Sequence, residues 1–187
     1  MQITPNFIEI YDDVLSEEQC TQIITEFELD KINQQAGRCG LGVLEKVKKS
    51  TDIIHTIDDN SLTSSIIKST MVTHLNDYKK KYPEIDAITE WIFYPAYHVQ
   101  RYKPNEGYFA PHCEVTATSV AYRVLVWMFY LNTINNGGTK FTNYDKTIES
   151  KKGRLVLWPA YWTHTHHGII SSTQTKYIAT GWFKFLK

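Results

Sequence analysis

Apolar residues first recur in loose alternation, at Phe7, Ile8, Ile10 and Val14, which predicts a strand near the start of the chain. Ser16-Glu17-Glu18-Gln19 follows, a helix cap with acids in the first turn, ahead of Ile23, Ile24 and Phe27. Glycines and polar residues from Asn33 to Gly42 read as a loop. From Ser61 to Tyr82 the apolar positions Leu62, Ile66, Ile67, Met71, Leu75 and Tyr78 fall at helical intervals, predicting a second helix that packs on a sheet.

Beyond Pro83 the pattern changes. Short runs of β-branched and aromatic residues, Trp91 to Tyr102, Arg123 to Leu131, Arg154 to Trp158 and Tyr177 to Phe185, alternate with turn-prone segments such as Asn135-Asn136-Gly137-Gly138, where paired glycines suit a tight turn. Several short antiparallel strands preceded by helices predict a mainly β fold with flanking helices, a jelly roll whose mouth is a common place for a ligand. The chain of 187 residues has the size of one domain, with 1–82 as a lead-in of helices and strand and 83–187 as the jelly-roll core.

Composition narrows the function classes. Lys plus Arg equals Asp plus Glu, 20 each, so no net field favours nucleic acid or anionic lipid as a partner. The acidic first residues lack a signal-peptide core and no stretch approaches a membrane span, so a soluble, cytoplasmic protein is expected. Cys20, Cys39 and Cys113 are odd in number and scattered, which fits reduced thiols and offers no zinc spacing.

The chemistry concentrates in two places. In His112-Cys113-Glu114, alternate side chains of an extended segment share a face, so an imidazole and a carboxylate project into one space. A further nitrogen ligand is available from His164-Thr165-His166-His167, which follows the run Leu155 to Trp158 and Pro159. Two histidines and a carboxylate form the facial set that binds Fe(II) and leaves open positions. Each piece alone is weak: a His-x-Glu triplet arises by chance, and a histidine cluster is equally a zinc site or a polar loop.

Together with their surroundings these residues resemble the prolyl 4-hydroxylase-like branch of the 2-oxoglutarate oxygenases. The resemblance runs through Gln100-Arg101-Tyr102-Lys103-Pro104, Tyr108-Phe109-Ala110-Pro111-His112-Cys113-Glu114, Tyr130-Leu131-Asn132, Gly137-Gly138-Thr139-Lys140-Phe141, Lys152-Gly153-Arg154 and Lys176-Tyr177-Ile178-Ala179-Thr180-Gly181-Trp182. Phe7 to Ile10 and Leu15 to Cys20 look like the family's lead-in, and Asp30 to Tyr82 matches least.

The resemblance implies a double-stranded β-helix that uses Fe(II), 2-oxoglutarate and O2, with ascorbate as an accessory reductant, and hydroxylates an unactivated carbon while forming succinate and CO2. It implies His112, Glu114 and His166 as metal ligands, His166 being selected over His164 because the family's distal histidine precedes the basic anchor of the far carboxylate, here Lys176, by ten residues. It assigns Tyr102, Tyr130 and Trp182 to the cosubstrate pocket, although either tyrosine is equally at home in a core. Arg123, His164 and Trp162 fall to the substrate side, and Trp127 to plain packing. Glu114 departs from the Asp usual in the family, and a carboxylate here argues against a halogenase. The substrate is open between a peptide, prolyl or otherwise, and a small molecule; Tyr94, Tyr97, Phe109, Tyr161 and Trp162 would line a peptide groove or pack beneath loops. Two competitors remain at this stage, a catalytically silent jelly-roll binding module and a metal-dependent hydrolase.

Overall fold

A computed structural model describes residues 5–186. Strand β1 (Glu9–Tyr11) leads into helix α1 (Glu17–Leu29), started by a capping box in which the Ser16 hydroxyl accepts from the Gln19 amide and the Gln19 side chain accepts from the Ser16 amide. The loop expected over Asn33 to Gly42 contains the two-residue strand β2 (Gln35–Ala36) and is followed by β3 (Lys48–Lys49) and β4 (Thr51–Thr56). Helix α2 (Leu62–Lys81), capped by Ser61, lies where the apolar spacing predicts it.

The strands after Pro83 are β5 (Trp91–Tyr102), β6 (Gly107–Tyr108), β7 (Arg123–Tyr130), β8 (Ile134–Phe141), β9 (Lys146–Ser150), β10 (Arg154–Pro159), β11 (His166–Gly168) and β12 (Lys176–Phe185). Seven of the strands form one antiparallel sheet in the order β1-β10-β7-β12-β5-β4-β2. Opposite it stand β11-β8-β9 and the pair β3-β6. This is the jelly roll the sequence predicts, with one change. β1, β2 and β4 come from residues before 82 and β4 pairs along β5, so the division at 82 is not a boundary within the sheet.

The large sheet is apolar on both faces, which is why β7 reads as an unbroken hydrophobic run. Leu125, Trp127 and Phe129 face the helices and join Ile23, Phe27, Ile67 and Met71, whereas Val126, Met128 and Tyr130 face the second sheet with Val156, Trp158 and Phe141. Gly137-Gly138 is not a tight turn. Both glycines lie within β8, at a break in its register against β9, where a Cβ on Gly138 would collide with the Ile148 carbonyl and one on Gly137 with the Ile134 side chain. Among the described residues no helix is long and apolar enough to cross a membrane.

Candidate metal and cosubstrate site

Between the sheets lies a cavity of about 340 Å3. His112 and His166 are tied back to back by a two-way backbone bridge, His112 N to His166 O at 2.9 Å and His166 N to His112 O at 2.8 Å. The Glu114 amide donates to the Ala160 carbonyl at 3.0 Å, which fixes the other end of the triplet. The bridge sets both imidazoles and the Glu114 carboxylate on the cavity side. Their ligand atoms lie within 4.8 Å of one another, with Glu114 Oε1 at 3.5 Å from His112 Nε2 and 3.7 Å from His166 Nε2.

The donor chemistry fits a divalent metal. Nδ1–H of His112 donates to the Ala110 carbonyl (3.1 Å) and Nδ1–H of His166 to the His164 carbonyl (2.9 Å), leaving the Nε2 lone pairs of both facing the shared space. Burial, and then the neighbouring His112, push His166 down to about 4, and burial also lowers His112. Both imidazoles are therefore neutral, as ligation requires. Burial alone would raise Glu114, but His112, His166, Arg123 and the Trp182 indole N–H outweigh it and hold the carboxylate below its ordinary range. The Tyr108 ring stacks on His112, with centroids 3.5 Å apart and planes 12° apart, and restrains its rotation.

Lys176, at the start of β12, is 6% exposed and lines the same cavity. Burial lowers it to about 8. Its ammonium meets the Ile169 carbonyl at 3.4 Å and the face of Tyr102 at 5.2 Å, and no carboxylate pairs with it among the described residues. A buried cation without a counter-charge, facing a cavity, is a site for an anion.

Tyr102 and Tyr130 both line the cavity, with their hydroxyls hydrogen-bonded to neighbouring side chains. Asp52 is buried and ion-paired with Lys48 at 2.6 Å, and it also accepts from Ser50 Oγ (2.6 Å) and Gln100 Nε2 (3.2 Å). Because an ionised carboxylate only accepts, Gln100 must present its amide N–H there and its oxygen to Tyr102, so the Tyr102 hydroxyl donates to Gln100 at 2.6 Å. Its proton is committed, and Tyr102 faces the cavity as a wall beneath Lys176. The Tyr130 hydroxyl donates to Thr139 Oγ1 at 2.7 Å.

Trp182 lines the cavity, but its indole N–H donates to Glu114 Oε2 at 2.9 Å, so its hydrogen bond goes to the candidate metal ligand. Arg123 sits over the Trp182 ring, its guanidinium carbon 3.9 Å from the ring centroid, and donates to the Glu114 carbonyl at 3.1 Å. His164 stands apart from the cluster. A short helical turn over Trp162–His164 breaks the alternation that would put it beside His166, and both its nitrogens are engaged, with Thr163 Oγ1 (2.9 Å) and the Asn6 carbonyl (2.8 Å). Trp162 is 72% exposed and belongs to a separate surface depression with Asn143 and Tyr144. Tyr97 is buried on the helix side, its hydroxyl bonded to Ser64.

The sequence reading missed Lys48, Asp52, His98, Gln100 and Tyr108 as parts of this region. Lys48, Ser50 and Asp52 alternate across β3 and β4 and are all buried, and a polar triplet at period two was the available signal.

Residues 97–184, which contain every candidate ligand, match the model of the 2OG-Fe(II) oxygenase superfamily. Among solved structures, the chain is similar to the viral collagen prolyl hydroxylase of Paramecium bursaria Chlorella virus-1 in its 2-oxoglutarate complex, at 19% identity over 96% of this chain and 97% of that one, with a TM-score of 0.74. A Trichoplax adhaerens prolyl hydroxylase bound to a fragment of the hypoxia-inducible factor oxygen degradation domain matches at 16% identity over 96% and 84%, TM-score 0.71. The non-heme α-ketoglutarate-dependent carbocyclase SnoK of nogalamycin biosynthesis matches at 10% identity over 96% and 80%, TM-score 0.70. No sequence among curated proteins matches. The superfamily match covers a little under half of the chain, and the solved structures share its fold.

Proposed function

We propose that His112, Glu114 and His166 hold the iron, that Lys176 receives the far carboxylate of 2-oxoglutarate, and that the enzyme hydroxylates an unactivated carbon of a substrate admitted past Arg123 and Trp182. The observation that carries this reading is the buried Lys176 ammonium, without a counter-ion, sharing one cavity with three convergent ligand atoms. Held by His112, Glu114 and His166, iron would supply O2 activation coupled to the conversion of 2-oxoglutarate to succinate and CO2, with the second oxygen atom going to the substrate.

The protein's share is orientation. The carbonyls of Ala110 and His164 keep both Nε2 lone pairs aimed at the metal position. Trp182 and Arg123 hold the outer oxygen of Glu114 so that Oε1 faces the imidazoles. Lys176 orients the cosubstrate by charge, and Tyr102, Met128, Trp158 and Ile178 exclude water around it.

A metal-dependent hydrolase has no use for Lys176, and a silent binding module has no use for aligned, neutral imidazoles. A peptide substrate is supported by the Trichoplax protein, which binds a peptide fragment, while SnoK, a carbocyclase, carries the same fold. The test is conversion of 2-oxoglutarate to succinate. It should require Fe(II), stop in His166→Ala and persist in His164→Ala; the reverse ranking of the two variants would overturn the ligand assignment.

A further inference from the structure

Two polar side chains of the cavity wall, Lys48 and His98, have no role in holding the metal or 2-oxoglutarate as proposed above. Both stand against one oxygen of the buried Asp52 carboxylate, Lys48 Nζ at 2.6 Å from Oδ2 and His98 Nδ1 at 3.8 Å. Three successive strands bring them together: Lys48 is on β3, Asp52 on β4 and His98 on β5, two residues from Gln100, the partner of Asp52 in the strand register. Gly37 lies against the back of the cluster, where a Cβ would stand 3.2 Å from both Lys48 Cε and Asp52 Oδ1.

Each side chain keeps hydrogen-bonding capacity that no described residue takes up. The Lys48 side chain is 4% exposed, and its ammonium has three donors, of which Asp52 receives one. The Nδ1 edge of His98 is sealed against Asp52, at a separation too long for a hydrogen bond. A lone pair at Nδ1 would face the negative carboxylate, so the neutral ring carries its proton there and presents its lone pair at Nε2. Nε2 has no partner among the described residues and belongs to the edge of the ring that meets the cavity. The ring stands edge-on to Trp182, with centroids 5.7 Å apart, and Trp182 donates to Glu114, so the cluster flanks the candidate metal ligand on the side assigned above to the substrate.

The cluster therefore offers a donor and an acceptor and, because Asp52 neutralises Lys48, no net charge. A carboxylate would bring its oxygens against the Nε2 lone pair, and an ammonium would bring its charge against Lys48. An amide supplies both missing partners, a carbonyl oxygen to accept from Lys48 and an N–H to donate to His98, on separate atoms that can reach separate strands. We propose that Lys48 and His98, both set by Asp52, bind an amide group of the substrate beside the carbon to be oxidised. This rests on the function proposed above, and the amide belongs either to a peptide backbone or to the carboxamide of a small molecule.

The test uses the full-length protein loaded with Zn(II) and 2-oxoglutarate, 15N-labelled at histidine, and titrated with acetamide, with N,N-dimethylacetamide, which accepts but cannot donate, and with acetate. Calorimetry first verifies that 2-oxoglutarate binds. Failure there removes the functional reading, while the His98 tautomer and its response to acetamide are still read on the zinc-loaded protein. The His98 signals, identified by their loss in His98→Phe, should show the proton on Nδ1, and Nε2 should shift saturably with acetamide at an affinity at least fivefold above that for either comparison compound. A proton on Nε2, or equal responses, overturns the proposal. Lys48→Met alone would strand the Asp52 carboxylate, so the second variant is Lys48→Met/Asp52→Leu, which removes both charges; acetamide affinity should fall at least fivefold in it, and an unchanged affinity overturns the proposal. Succinate release by the iron enzyme then separates the sources. Stimulation by N-acetylated, C-amidated dipeptides indicates a backbone amide, stimulation by free carboxamides indicates a small molecule, and stimulation by amide-free acids or alcohols alone overturns the proposal.

Discussion

The indole N–H of Trp182 donates to Oε2 of Glu114 at 2.9 Å, from the far end of β12 to the segment that follows β6. One oxygen of the carboxylate is thereby anchored and the other turned to the two imidazoles. The longer side chain of Glu, one methylene beyond the Asp usual in the family the sequence resembles, spans the gap between its backbone and the histidines, and the indole removes the freedom that the extra bond brings.

Trp182→Phe removes that donor and keeps an aromatic surface for Arg123. Metal affinity should fall roughly tenfold or more, the usual consequence of losing a group that orients a ligand. Calorimetric titration with Co(II) checks this, and an unchanged affinity would show that Glu114 needs no such support. Glu114→Asp should also weaken the metal, because the shorter side chain gives up the Trp182 contact.

Lys176 gives a pH dependence of definite sign. Burial lowers its pKa to about 8, so the free enzyme presents an ammonium below that pH and a neutral amine above it. Affinity for 2-oxoglutarate should be level below pH 8 and fall about tenfold per unit above it, with proton uptake on binding near pH 8.5. Calorimetry in buffers of different ionisation enthalpy reads the uptake directly. Lys176→Met should remove the dependence and raise the KM for 2-oxoglutarate by about two orders of magnitude, the loss expected when an anion is left buried without its partner.

Tyr102→Phe should leave the KM for 2-oxoglutarate within about threefold of the parent, because the hydroxyl donates to Gln100. Thermal stability should drop by about 1 kcal/mol, the net worth of one buried hydrogen bond. A large rise in KM would mean that the hydroxyl reaches the cosubstrate after all.

His164→Ala should keep metal binding and lose about 1–2 kcal/mol of stability in chemical denaturation, since His164 ties the N-terminal strap to the turn before β11 through the Asn6 carbonyl. Loss of metal at unchanged stability would contradict this assignment.

Much of this was legible in the sequence, and the remainder was hidden for identifiable reasons. The limits of α2 and β5 follow from apolar spacing, and the meeting of His112, Glu114 and His166 in one place follows from alternation within the triplet and the family's spacing to Lys176. β3 and β4 escaped notice because Lys48 and Asp52 look like surface residues and are buried only by pairing with each other. The position of His164 depended on a helical turn that no period of two foresees. The directions of the Tyr102 and Trp182 hydrogen bonds depend on partners distant in sequence, Asp52 through Gln100 in one case and Glu114 in the other.

On the proposed reading, one cavity holds iron on His112, Glu114 and His166 and 2-oxoglutarate on Lys176. Anaerobic titration of the Fe(II)-loaded protein with 2-oxoglutarate tests it most directly, through the weak visible charge-transfer band that arises when the keto acid chelates iron. The band is expected in the parent protein, with its loss in His112→Ala and a shift to much higher 2-oxoglutarate concentration in Lys176→Met. Absence of the band with iron demonstrably bound would contradict it.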